Sequence, residues 1–212
     1  MIETEDQARA FVAERCSAEA MAALETFVSI LLEEAGRQNL IAASTIPNLW
    51  QRHIADSAQL LDHVPRETHG PWLDLGAGAG FPGIVTAIMR PEMPHVLVES
   101  RTRRVEWLNR AIGETGLKNC HVEGLRLQKV ETFDAAVISA RAFAPLGDLI
   151  ELSARFSTDR TTWVLPKGRS AAQERDELDS RQRAMFHVKQ SVTSRDAAIL
   201  VGMGRPNPGS RR

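Results

Sequence analysis

Apolar positions in the first seventy residues recur at helical spacing, and none alternate as a strand would. Thr4 is placed to cap a first helix, and Ala22, Leu24, Phe27, Ile30, Leu31 and Leu32 lay a wide apolar stripe on a second that ends near Gly36. A third helix is expected after Pro47, carrying Leu49, Trp50, Ile54, Leu60 and Leu61. The stretch from Pro65 to Pro71 closes this segment.

From Trp72 the pattern changes to short apolar runs alternating with helical periods, the mark of βαβ units and a parallel sheet. Strands are expected at Trp72–Leu75, His95–Glu99, Cys120–Glu123, Ala135–Ser139 and Thr162–Pro166. Helices are expected between them at about Pro82–Arg90, Thr102–Thr115 and Pro145–Phe156. In Thr102–Thr115, Val105, Leu108 and Ile112 should face the sheet, with Arg103, Arg104, Glu106 and Arg110 turned away. After a helix near Ala171–Leu178, the runs Met185–Gln190 and Ala198–Met203 read as strands with no helix between them, hence as an antiparallel pair.

The expected fold is therefore α/β and Rossmann-like, a mostly parallel seven-stranded sheet ending in an antiparallel hairpin. Residues 1–70 form an N-terminal helical extension packed on a domain spanning 71–204, and 205–212 is expected to be a flexible tail. Such an ending suits class I S-adenosylmethionine methyltransferases better than nicotinamide dehydrogenases.

Composition narrows the classes further. A chain of 212 residues with 43% hydrophobic content can bury a sizeable core. Its formal net charge of −1 argues against coating nucleic acid by overall attraction, so any such contact needs a local basic face. Cys16 and Cys120 lie too far apart for a metal knuckle or a disulfide framework, and no metal is indicated. The acidic start lacks the charge and apolar core of a signal peptide, and no apolar run approaches the roughly 18 residues of a membrane span. A soluble cytoplasmic protein with no membrane partner is expected.

The candidate chemistry begins where the first strand ends. Gly76, Gly78 and Gly80 follow Asp74-Leu75 at alternate positions before Pro82 opens a helix, so the backbone can turn sharply and approach a ligand. Gly78-Ala79-Gly80-Phe81-Pro82-Gly83 is also a literal G-x-G-x-x-G, so an NAD(P)-dependent oxidoreductase stays open. Asp74, placed to influence the donor's ammonium end, the final strand pair, and Pro82, where a dinucleotide loop keeps a free N–H, favour S-adenosylmethionine. Glu99 ends the second strand, where it is placed to accept hydrogen bonds from both ribose hydroxyls. Leu127 and Gln128 leave the third strand beside the expected adenine.

Several strings then carry a resemblance: Asn39-Leu40-Ile41, Arg52-His53-Ile54-Ala55-Asp56-Ser57, Leu73 to Gly83, Arg90-Pro91-Glu92, and Ser139-Ala140-Arg141-Ala142-Phe143-Ala144-Pro145-Leu146. Through nearly its whole length the chain resembles the 16S ribosomal RNA guanine-N7 methyltransferases, RsmG, also called glucose-inhibited division protein B. The resemblance implies cofactor contacts at Gly76, Phe81, Leu127-Gln128 and Arg141, and methylation of the guanine at position 527 of 16S ribosomal RNA. Gln128 departs from the family, which often has an acidic residue there.

Arg141 follows the fourth strand, where it can hold a carboxylate, an RNA phosphate or the O6 acceptor of the target base. His53, Asp56 and Ser57 lie within one helical turn, too close together for a hydrolase triad, and the resemblance assigns them to closing the pocket or positioning substrate. Arg101, Arg103, Arg104 and Lys167 are candidates for RNA contact, extended by Arg37, Arg52, Arg169 and Arg211-Arg212. Guanine N7 carries a lone pair and no proton, so no essential acid or base is expected and catalysis rests on alignment. The implied partner is 16S ribosomal RNA or a small ribosomal subunit precursor, met by a monomer. A non-catalytic ribosome- or RNA-binding protein is the remaining alternative.

Overall fold

A computed structural model describes residues 1–206 of the chain. Helix α1 spans Glu5–Ala13, capped by the Thr4 hydroxyl accepting from Gln7 N–H, and α2 spans Ala18–Ala35, capped in the same way by Ser17. On α2, Leu24, Phe27 and Leu31 are buried while Ala22 and Leu32 are exposed, so the apolar stripe is narrower than the sequence suggests.

The expected third helix is a composite. Ala43–Asn48 is 3₁₀, Trp50–Ala55 is a widened π turn, α3 covers Asp56–Ala58 and Gln59–His63 is 3₁₀ again. The Glu5 carboxylate of α1 accepts from the backbone N–H groups of Trp50 and Gln51 at 2.9 and 2.8 Å. The first amides of the widened turn, which have no partner within it, are thus satisfied by a neighbouring helix.

The sheet contains β1 (Trp72–Leu75), β2 (His95–Val98), β3 (Cys120–Glu123), β4 (Val137–Ala140), β5 (Thr162–Lys167), β6 (Phe186–Gln190) and β7 (Ala198–Met203) in the order β3-β2-β1-β4-β5-β7-β6. The first five strands run parallel, and β7 pairs antiparallel with both β5 and β6. β4 starts two residues later than expected because Ala135 and Ala136 bond across to Phe156 and Pro71 as a lead-in.

Helices α4 (Gly83–Met89), α5 (Thr102–Glu114), α6 (Leu146–Ser153) and α7 (Ala171–Asp176) connect the strands, and α8 (Ser180–Met185) is an unexpected short helix before β6. On α5 the fully buried residues are Trp107, Leu108 and Ala111, with Val105 and Ile112 half-buried beside them. One sheet face packs Leu73, Leu75, Val98, Ile138 and Leu165 against α6 and α7. The opposite face packs α4 and α5, and α1, α2 and the Trp50 segment join that same core. Phe27 sits edge-on to Phe81 at 5.4 Å and stacks on Trp107 at 6.2 Å, tying the helical extension to the glycine loop. Among the described residues no helix is long and apolar enough to cross a membrane.

Candidate functional site

The turn leaving β1 holds Gly76, Gly78 and Gly80 at φ of +67°, +56° and +103°. At Gly76 a side chain is opposed twice, by the positive φ and by Phe143, whose Cδ2 would lie 2.8 Å from a Cβ there and would have to shift. The loop's N–H groups are largely engaged: Gly76 and Ala77 donate to Val98 O, Gly80 to Ala77 O, and Gly78 to Glu99 Oε2 at 3.2 Å. Glu99 Oε1 in turn accepts from the N–H groups of Ser100 and Arg101 at 2.7 and 2.9 Å. One carboxylate therefore pins the glycine loop to the turn after β2.

Above this loop lies a cavity of about 310 Å³, walled by Gly76, Gly78, Ala79, Glu99, Arg101, Arg104, Leu40, Leu125, Leu127, Ala142 and Phe143. It combines a side-chain-free backbone stretch, a carboxylate at a strand end and leucines at the third-strand exit, which fits an adenosyl group bearing an amino-acid arm. Arg104 donates to Asn39 O across the mouth, so residues following α2 complete the wall.

Asp74 is not in that wall. It is fully buried, accepting from Ser139 Oγ at 2.6 Å and Gly83 N–H at 3.1 Å, and Ser139 Oγ also accepts from Trp72 Nε1 at 2.8 Å. Burial pushes its carboxyl up to about 7 against the pull of these donors. The expectation that it meets the donor's ammonium end is corrected to a tie beneath the loop, holding the start of α4 to β1 and β4.

A second cavity, of about 660 Å³, lies on the other side of Ala142 and Phe143, which line both. Ala142 takes the left-handed conformation at φ +54°, a strain borne by a non-glycine residue at the partition. The second cavity is lined by His53, Asp56, Arg141, Lys167, Glu174, Thr45, Arg52, Thr193 and Ser194, among others.

His53 organises one wall. Its ring stacks on Phe81 at 4.9 Å, Arg141 lies over the same Phe81 ring at 4.9 Å, and Arg141 Nη1 stands 3.1 Å from His53 Nδ1. Because a guanidinium only donates, Nδ1 is the acceptor and Nε2–H faces Thr45 Oγ1 at 2.9 Å. Burial, then the charges of Arg141 and Arg52, pull the His53 pKa down to about 3, so the ring is neutral. Lys167 Nζ is held by Glu174 at 2.7 Å and Ala144 O at 3.2 Å.

Of the residues expected around the donor, Gly76, Gly78, Glu99 and Leu127 line the smaller cavity. Gly80 packs on Ile84 and Phe27, Phe81 is buried under His53, Gln128 is exposed on a 3₁₀ turn, and Arg141 opens on the larger cavity. His53, Asp56 and Lys167 meet in the larger cavity, but Ser57 is buried with its hydroxyl donating to His53 O, a helix back-bond rather than a substrate contact. Arg101 and Arg104 line the smaller cavity, while Arg103 lies in a separate cleft with Arg37 and Arg110. The Arg211-Arg212 extension and most of the 205–212 tail lie outside the described residues. The sequence reading missed Leu40, Thr45, Phe143, Glu174 and Thr193 as site residues; Leu40 and Phe143 had a local signal, their places in the Asn39-Leu40-Ile41 and Arg141 strings.

The strand order differs from the 3-2-1-4-5-6 order of dinucleotide folds by inserting β7 antiparallel between β5 and β6, which removes the oxidoreductase alternative. A family model described as "GidB: rRNA small subunit methyltransferase G" matches residues 20–199. A ribosomal RNA small subunit methyltransferase G of Erythrobacter litoralis is 62% identical over 205 residues, covering 97% of this chain and 99% of its own. One from Sphingopyxis alaskensis is 53% identical, covering 92% and 83%. Among solved structures, a SAM-dependent methyltransferase from Aquifex aeolicus superposes with TM-score 0.55 at 14% identity, covering 74% of this chain and 93% of its own. A ribosomal protein L11 methylase from Lactobacillus delbrueckii gives 0.58 at 10%, covering 72% and 78%. At such identities the structures speak for the fold alone.

Proposed function

The chain belongs to the GidB family of rRNA small subunit methyltransferases, and we propose that it methylates N7 of a guanine in 16S ribosomal RNA. The observation that carries this reading is the pair of cavities meeting at Ala142 and Phe143. The glycine-loop cavity suits S-adenosylmethionine, and the Arg141 cavity suits a base unstacked from looped RNA.

When bound, S-adenosylmethionine would supply a methyl carbon on a sulfonium, the in-plane N7 lone pair forming the new N–C bond as the S–C bond breaks and neutral S-adenosylhomocysteine leaves, with no proton to remove. Glu99 would accept from the ribose hydroxyls, Gly76 and Gly78 would let the ligand lie against bare backbone, and Leu127 would pack on the adenine. Arg141, tied to His53, would donate to the target base, and Lys167, paired with Glu174, lines the same cavity. His53 is no general base, since both ring nitrogens are engaged and its pKa lies near 3. The substrate is a small ribosomal subunit precursor or its RNA, met in the cytoplasm by a single copy of the chain. Residues 1–70 serve as an extension packed on the catalytic domain, 71–204.

Mapping N7-methylguanine in 16S ribosomal RNA from cells with and without this protein tests the reading. Loss of one methylated guanine is expected, and an unchanged map would refute it.

A further inference from the structure

The larger cavity sets a hydrogen-bond acceptor beside a donor, and the fold leaves both with capacity to spare. Asp56 Oδ1 is saturated, accepting from Thr193 Oγ1 at 2.7 Å and Gln59 Nε2 at 2.9 Å. Asp56 Oδ2 has no hydrogen-bond partner among the described residues and stands 4.0 Å from Arg141 Nη1. Arg141 gives Nη1 to His53, and its other guanidinium nitrogens find no acceptor among the described residues. Both side chains line the cavity, Arg141 25% and Asp56 19% exposed.

We propose that Asp56 and Arg141 together select guanine as the base to be methylated, Arg141 donating to O6 and Asp56 Oδ2 accepting N1–H. The proposal rests on the reading that guanine N7 is the target. Adenine also carries an N7 with an in-plane lone pair, so nucleophilicity alone does not separate the two purines. Their neighbouring edges do: guanine offers an acceptor at O6 and a donor at N1, whereas adenine offers a donor at its amino group and an acceptor at N1. Against this pair guanine satisfies both groups. Adenine would set donor against guanidinium and lone pair against carboxylate, leaving two desolvated groups unpaired, which is how a polar site rejects the wrong ligand.

Both groups are held before any base arrives. Thr193 and Gln59 fix the carboxylate, while His53 and the Phe81 ring fix the guanidinium. Little ordering therefore remains for binding to supply. Thr193 belongs to the loop between β6 and β7, so base selection joins the first sixty residues to the last hairpin.

The test measures methyl transfer by the full chain to small-subunit ribosomal RNA carrying either guanine or adenine at the target position. Wild type should act on guanine and reject adenine. Asp56→Asn should lose about tenfold or more in kcat/KM on guanine and gain on adenine, because an amide can donate to adenine N1. Its S-adenosylmethionine affinity by calorimetry should match wild type. Thr193→Val, which loosens Asp56 but keeps the carboxylate, should slow guanine transfer with the guanine-to-adenine preference intact. A wild-type preference in Asp56→Asn, or an equal collapse in Thr193→Val, overturns the proposal and leaves Asp56 as a structural tie. Should Asp56→Asn not fold, Arg141→Gln decides by the same ratio, and an unchanged ratio overturns it. If wild type leaves guanine-bearing RNA unmethylated, the proposed function itself falls.

Discussion

His53 works through other residues. Its neutral ring offers one acceptor to Arg141 and one face to Phe81, so a change there should move the guanidinium more than the cofactor. His53→Ala is expected to lower kcat/KM for RNA by ~10- to 100-fold, the scale of an ångström-level misplacement, with S-adenosylmethionine affinity unchanged. His53→Gln, which restores an acceptor, should recover part of that loss; steady-state kinetics with calorimetry on both variants decides. Asp74 makes a prediction of opposite kind. Burial raises its pKa from 3.8 to about 7, so between those values the native chain keeps a proton that the unfolded chain has released. Its contribution to stability is whole below the ordinary carboxylate range and is lost as pH rises through about 7. Asp74→Asn, which retains an oxygen for Gly83 N–H, should be less sensitive between pH 5 and pH 8, read as the change in Tm relative to wild type. An equal fall in both proteins would place the sensitivity elsewhere. The string Leu73 to Gly83 made the loop legible, but not the burial of Asp74, because Ser139 lies 65 residues away and pairs with it only through the β1–β4 register.

At the scale of elements, glycines divide by what surrounds them. Gly83 opens α4 with Asp74 Oδ2 only 2.6 Å from where a Cβ would stand and the Leu97 side chain crowding the same point. Gly83→Ala should destabilise the fold by about 3 kcal/mol or more, seen as a shifted urea midpoint. Gly116, at φ +68° with open space around it, should cost about 1 kcal/mol for the same change. Gly76 is different again, because its neighbour is the movable Phe143 ring on the partition between the cavities. Gly76→Ala should weaken S-adenosylmethionine binding more than tenfold by calorimetry while costing little stability beyond the positive-φ strain of about 1 kcal/mol. The regular elements were readable because strands and sheet-covering helices advertise themselves through period. The Trp50–Ala55 turn was not, since the carboxylate that meets its first amides, Glu5, lies some 45 residues earlier.

Across the whole molecule, the helical extension and the sheet share one apolar core, with Leu24, Phe27 and Leu31 beside Phe81, Ile84 and Trp107. Each such side chain contributes about 1.5–3 kcal/mol by burial, so neither part retains a closed core without the other. Unfolding in urea is therefore expected to be one transition, with the fluorescence of Trp50 and Trp163, followed in single-tryptophan variants, changing together. Separate midpoints would show two independent units. The sequence announced the extension and the sheet separately; their union rests on long-range packing that no local pattern encodes.

The contacts that bind the chain's beginning to its last hairpin set a schedule for the newborn protein. Ile2 N–H donates to Val192 O, Gln51 reaches both Ile2 O and Thr193 O, and Gln59 bonds Ser191 and Val192. During synthesis Thr193 and Ser194 leave the exit tunnel more than a hundred residues after His53 and Asp56, so the wall of the larger cavity stays open until the β6–β7 hairpin emerges. The wall that would clasp a nucleotide is therefore completed only with the β6–β7 hairpin.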